Sequence, residues 1–149
     1  MKSPQVRSIT PFLWFKDAAE EAAKTYTSIF ADSRVLEVTP QSATFVLAGQ
    51  KYIAFNGGPH YKLDAAFSLM VVVETQEEYD ATWDALIAGG EPSRCGWLVD
   101  RFGLSWQVTP NILPSLLGDR DPAKAKRALE AMLGMQKLDI AALKRAHAG

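Results

Sequence analysis

The sequence predicts an α+β protein. It is read as two βαβββ-type modules that form a curved, mostly antiparallel sheet with helices outside, followed by C-terminal helices. Three observations carry this prediction. A strand-like run, an amphipathic helix and a set of short strands occur in that order twice. The last third of the chain is rich in Ala, Leu and Met and carries helix-start signals. No run of about 18 apolar residues occurs, so no segment is long enough to span a membrane. At 149 residues the chain is read as a single domain, 1–149, with module one at about 5–60, module two at about 63–110 and a helical extension at 111–149.

The elements follow in order. Ser8–Phe15 (SITPFLWF) is aromatic and branched and reads as a strand. Asp17, with Glu20 three residues on, offers a capping-box-like start for the helix AAEEAAKTYTSIF, whose Ala22, Ala23, Tyr26, Ile29 and Phe30 recur at helical spacing. Strands are expected at Arg34–Thr39, Ala43–Leu47 and Tyr52–Asn56, with Gly49-Gln50 turning between the last two and Gly57-Gly58-Pro59 closing the set. The second module opens with Ala65–Glu74, a nearly continuous apolar strand. Thr75 and Glu78 then form a capping box for a helix with Tyr79, Trp83, Leu86 and Ile87 on one face, ending at Gly89-Gly90. Strands at Gly96–Val99 and Leu104–Thr109 flank the turn Asp100–Gly103. Asp121-Pro122 starts a helix through Leu133, and a last helix runs from about Asp139 to Ala146.

Composition narrows the function classes. With 16 Lys+Arg against 17 Asp+Glu the net charge is −1, which gives no field to draw nucleic acid or an acidic membrane. The basic residues of the C-terminal helices interleave with acids and read as a solvated face. Two histidines and one cysteine exclude the denser metal frameworks. The lone Cys95 cannot form an intramolecular disulfide, and the opening MKSPQVRSITPF lacks an apolar core of signal-peptide length. The expectation is a cytoplasmic protein with no nucleic-acid or membrane partner. Neither glycine pair forms the strand-to-helix cradle that a class I methyltransferase uses for its nucleotide-bearing cofactor, because Gly57-Gly58 leads into a proline and Gly89-Gly90 ends a helix.

Several segments together resemble one family: ITPFLWF (9–15), AEEAAKTYTSIF (19–30), FNGGP (55–59), QEEYDATWDALIAGG (76–90), CGWLVDRFGLSWQVTP (95–110) and AMLGMQKLDIAAL (131–143). They are similar to the PhnB-like proteins of the vicinal-oxygen-chelate (glyoxalase/bleomycin resistance/dioxygenase) superfamily, a branch often described as 3-demethylubiquinone 3-methyltransferase. The resemblance runs over nearly the whole chain, and the CGW…D..G.SWQ block is its most specific part.

The resemblance implies a divalent ion in the concave sheet, held by His or Gln on the first strand of each module and Glu on the last, polarising two adjacent substrate oxygens. Those positions fall here at about Thr10 (or Pro11, one residue on), Ser68 and Gln107. Two hydroxyls and an amide bring no charge to a divalent cation, so no metal and no cofactor are expected. Strand alternation puts Ser105 on the face of Gln107, Phe12 and Trp14 on that of Thr10, and Met70 and Val72 on that of Ser68. His60 follows GGP in a loop and is a candidate ligand contact, while His147, near the C-terminus, is set aside. The ligand-binding set is therefore Thr10, Phe12, Trp14, His60, Ser68, Met70, Ser105 and Gln107, with catalytic residues left unnamed. The reading is a metal-free, homodimeric small-molecule-binding protein of the glyoxalase/bleomycin-resistance type. The alternative is an enzyme of the same superfamily (lyase, isomerase or dioxygenase-like) with catalytic residues still to be found, or with a metal held by unexpected ligands such as His60. Methyl transfer is not expected.

Overall fold

Period-2 burial along the first strands already separates a covered face from an open one. In β1 (Phe12–Phe15) Leu13 and Phe15 are buried while Phe12 and Trp14 are not, and in β3 (Ser42–Leu47) Ala43, Phe45 and Leu47 are buried. The structure is a computed structural model that describes residues 1–149 as two compact units, Met1–Leu63 and Asp64–Gly149.

In the first unit the buried face is closed by α1 (Ala19–Ile29), which buries Ala19, Ala22, Ala23 and Tyr26. The three alanines let the helix approach the sheet closely, and Tyr26 packs on Phe45 with ring centroids 6.1 Å apart. With β2 (Arg34–Val38) and β4 (Gln50–Asn56) the sheet order is β1-β4-β3-β2. β1 runs parallel to β4, and the two other pairings are antiparallel.

Two expectations change here. The first strand is shorter than Ser8–Phe15, because Thr10 and Pro11 precede the regular strand. Pro11 has no N–H to give a ladder, although its carbonyl accepts from Ile53 N at 3.1 Å. Asp17 does not cap α1. The N-cap position is Ala18, without a side-chain bond, and the cap comes from across the sheet, where Asn56 Oδ1 accepts from Ala19 N at 2.8 Å.

The second unit repeats the order. β5 (Ser68–Val73) leads to α2 (Gln76–Ile87), whose N-terminus has the expected capping box between Thr75 and Glu78. The two-residue β6 (Glu91–Pro92), β7 (Trp97–Val99) and β8 (Ser105–Pro110) complete a sheet of order β5-β8-β7-β6, with β5 parallel to β8. The turn between β7 and β8 is organised by Asp100, which is 5% exposed. Its Oδ1 accepts from Phe102 N and Leu104 N at 2.8 and 3.0 Å, and its Oδ2 accepts from Trp106 Nε1 at 2.8 Å. At the start of the same block Gly96 has φ +84°, and a Cβ there would lie 2.7 Å from the Val108 carbonyl, so only glycine fits. The most specific motif of the sequence is thus largely a device for building one hairpin.

The C-terminal helices are α3 (Leu113–Leu117), α4 (Pro122–Leu133) and α5 (Ile140–Ala148), with Asp121 and Asp139 capping the latter two. The link between α4 and α5 is strapped to the rest of the unit. Cys95 N and Gly96 N donate to the carbonyls of Met135 and Gln136 at 2.9 and 2.7 Å. From α2, Tyr79 Oη accepts from Leu138 N at 3.1 Å, and Gln76 bonds both Leu138 O and Ile140 N. Lys137 pairs with Asp80 at 2.8 Å. Burial pushes the Tyr79 hydroxyl up to about 12, and the bonds from Lys137 and Gln76 hold the Asp80 carboxyl below its usual range. Two motif segments far apart in sequence, QEEYD and MQKLDI, therefore hold each other. His147, set aside in the sequence, closes the tail. Its Nε2 lies 2.8 Å from Asp119 Oδ2, while Arg127 donates to the carbonyls of Ala146 and His147 at the end of α5.

Candidate functional site

The open face of each sheet is the side its helix leaves uncovered. In the first unit, β1 brings Phe12 and Trp14 onto that face, and the parallel register with β4 sets Phe55 beside Trp14. Phe12 and Phe55 have ring centroids 5.3 Å apart, and Trp14 meets Phe55 edge-on at 5.2 Å. Trp14 is fixed on its other side as well. Its Nε1 donates to Gly58 O at 3.0 Å, and its ring lies over Gly57, where a Cβ would fall 2.1–2.5 Å from the indole carbons. The first glycine of the GGP motif is thus a seat for a tryptophan rather than a turn residue. Tyr61 folds back to meet Trp14 edge-on at 5.0 Å. Phe12 remains 57% exposed and Tyr61 69% exposed, so the cluster offers its rings outward.

Phe55 and Tyr61 were absent from the residues expected at the site. The signal for Phe55 lies in the β1–β4 register, which sequence alone does not display. His60, the loop candidate, sits exposed in the turn before Tyr61. Thr10 is half-buried just ahead of β1.

In the second unit the expected parity of β5 and β8 is found. Leu98, Trp106 and Val108 are buried, and Gln107 is half-exposed on the other face. Ser68 and Gln107 meet there, with Gln107 Nε2 donating to Ser68 Oγ at 2.9 Å. Met70, the register partner of Gln107 on β5, is 58% exposed, and Trp97 is its partner on β7. Ser105 departs from the expected exposure. It shares the parity of Gln107 but is 1% exposed. The side chains that β5, β7 and β8 present on this face are all uncharged.

The donors present do not suit the divalent ion that the superfamily implies. Ser68 and Gln107 contribute a neutral hydroxyl and a neutral amide, already bonded to each other. No three His, Cys, Asp or Glu side chains anywhere in the chain are placed to hold a metal ion. What this face can do is hydrogen-bond an uncharged group beside apolar surface.

The comparisons with known proteins agree with this fold. The family model described as 3-demethylubiquinone-9 3-methyltransferase matches residues 7–109. The match ends with β8, so the segment 131–143, counted above in the resemblance, lies outside it. A PhnB protein of Bacillus cereus, provisionally described as a 3-demethylubiquinone-9 3-methyltransferase, is 31% identical with a TM-score of 0.65. That alignment covers 70% of this chain and 99% of the Bacillus protein. The fosfomycin resistance protein FosX of Listeria monocytogenes shares the fold at 16% identity and TM-score 0.53, over 74% of this chain and 95% of its own. A glyoxalase-related enzyme of Fulvimarina pelagi does so at 13% identity and TM-score 0.51, over 72% and 91%. No curated protein matches the chain. No helix is long and apolar enough to cross a membrane. Two four-stranded mixed sheets, the hairpin built on Asp100 and the match over 7–109 together make this chain a member of the PhnB-like 3-demethylubiquinone-9 3-methyltransferase family, within the vicinal-oxygen-chelate superfamily.

Proposed function

We propose that the protein is a metal-free binding module for a small organic molecule, of the glyoxalase/bleomycin-resistance type. The observation that carries this reading is the chemistry of the open sheet faces. The first sheet turns exposed aromatic rings outward, and on the second the uncharged Ser68–Gln107 pair holds two of the positions at which the superfamily resemblance implies metal ligands. In this reading Phe12 and Trp14 line the open face of the first sheet, with Thr10 just ahead of β1 and His60 in the turn before Tyr61, and Ser68, Met70, Ser105 and Gln107 line that of the second. An enzyme working through a metal on His60 gains no support, because His60 stands exposed in a turn and no cluster of acids, thiols or imidazoles forms around it. Methyl transfer gains none either: Gly57 seats Trp14, and Gly89, at φ +76°, ends α2.

The protein works as a homodimer in the cytoplasm in this reading. Support for the dimer comes from β2, an edge strand whose Leu36 and Val38 stay 45% and 42% exposed. Support for a reducing compartment comes from the single free Cys95.

The test is a thermal-shift screen of neutral, anionic and cationic aromatic compounds, followed by tryptophan fluorescence titration. A neutral compound should raise the melting temperature, and Trp14→Ala should weaken its binding. The proposal fails if no organic compound in the screen shifts the transition, and a divalent ion that does shift it would point to a metal site instead.

A further inference from the structure

The open face of the second sheet holds one polar group that the fold leaves idle. Ser105 is 1% exposed, and its hydroxyl has no hydrogen-bond partner. Alternation along β8 fixes its direction. Trp106 and Val108 are buried on the side of α2, so Ser105 lies on the face of Gln107. Its register partner on β5 is Ser68, the residue that accepts the Gln107 amide. Folded proteins rarely keep a buried polar group unpaired, and the exceptions call for a role.

The hydrogen-bond inventory of the three side chains decides what they would take. Gln107 uses one N–H on Ser68 and keeps a second, Ser68 accepts that bond and keeps its own O–H, and the Ser105 O–H is unused. Three free donors stand together beside one free acceptor, Gln107 Oε1, so the best match is a group that leads with an acceptor and can return an N–H, as an amide does. A carboxylate would also accept, but β5, β7 and β8 present no cation on this face to offset its desolvation. An ammonium would meet Gln107 Oε1 and the charge of Glu91, which shares this face through Val99, but it offers no acceptor to the three donors.

We propose that Ser105 is a specificity-determining hydrogen-bond donor that, with Ser68 and Gln107, takes the uncharged carbonyl oxygen of an amide- or ketone-bearing ligand. This rests on the binding reading above and deepens it. Reaching Ser105 requires neighbouring side chains to shift, and Met70, exposed and unbranched, is the adaptable one on this face.

Three probes with one ring separate the possibilities: benzamide, benzoate and benzylamine, titrated against wild type, Ser105→Ala and Ser105→Cys by tryptophan fluorescence. Benzamide should bind, with the two charged analogues at least about tenfold weaker and with a loss of about tenfold in Ser105→Ala. Without any probe, Ser105→Ala should melt about 2–4 °C higher, because it removes an unpaired buried hydroxyl. Ser105→Cys keeps the volume with a weak donor, should fold like wild type, and should bind benzamide as poorly as the alanine variant. Equal benzamide affinity in wild type and Ser105→Ala, a preference for either charged analogue, or a lower melting temperature in Ser105→Ala overturns the role of Ser105 and leaves the binding reading standing. No binding of benzamide also overturns it, whatever else binds. Failure of every organic compound in the screen overturns the binding reading itself.

Discussion

Replacing Asp100 by asparagine changes one atom type and should still break the β7–β8 hairpin. The carboxylate accepts from two backbone N–H groups through Oδ1 and from Trp106 Nε1 through Oδ2, with Leu104 N and the indole both buried. An asparagine can keep either the Oδ1 pair or the indole bond, but its NH2 group then faces an N–H donor. A buried donor left without a partner costs about 1–3 kcal/mol, and a bond to a charged acceptor is worth about 1.5–3 kcal/mol. Asp100→Asn should therefore destabilise by about 2–3 kcal/mol. Asp100→Ala should cost about 4 kcal/mol, because it orphans both buried donors while Phe102 N, only part-buried, can recover water. Urea unfolding followed by tryptophan fluorescence reads both, with the midpoint falling and the slope unchanged. A loss below about 0.5 kcal/mol in Asp100→Asn, the ordinary scale of surface changes, would refute the role given to this carboxylate.

Further expectations follow from the strap, the tryptophan seat and the acids. Tyr79→Phe removes the acceptor for Leu138 N and should cost about 1–2 kcal/mol, with faster hydrogen exchange at that amide; unchanged exchange there would contradict the strap. Gly57→Ala puts a Cβ inside the Trp14 ring, so the indole must leave its seat and its emission should change; an unaltered spectrum would count against the packing. Hydrogen bonds, from Lys137 and Gln76 to Asp80 and from Asp121 N and His147 to Asp119, hold both carboxyls below the usual carboxylate range, so each stabilises the folded chain above its unfolded titration range, and the contribution disappears as pH falls through the lowered folded range. Asp80→Asn should therefore flatten part of the acid limb of a stability–pH curve, and a limb of unchanged steepness would contradict the assignment. Gln107→Glu should fold and gain affinity for a divalent ion, read by calorimetric titration, because it restores a charged oxygen where the superfamily places one.

Most of the architecture was legible because its signals are local. The capping box at Thr75, the Asp121-Pro122 start, the β3–β4 turn and the alternation of β8 each lie within a few residues of sequence. What stayed hidden depends on chain segments meeting. Asn56 caps α1 from a neighbouring strand, whereas the local pattern points to Asp17. Phe55 and Tyr61 join Trp14 only through the β1–β4 register and the returning loop. Tyr79 read as one of four residues on a helix face, and the part its hydroxyl plays in holding the C-terminal strap shows only once 135–140 lies against α2. Of the site, the shared face of Ser68 and Gln107 followed from alternation plus a family alignment, while the hydrogen bond between them shows only in the structure. The burial of Ser105 did not, since alternation assigns a face and not the depth at which a side chain sits on it.

We propose that Ser68 and Gln107, neutral where the superfamily resemblance implies metal ligands, hold no divalent ion. The most direct test is elemental analysis of tag-free protein purified without chelator and equilibrated with zinc, manganese or magnesium before desalting. Wild type should retain substoichiometric metal. Retention of one divalent ion per chain, lost on Ser68→Ala or Gln107→Ala, would contradict it.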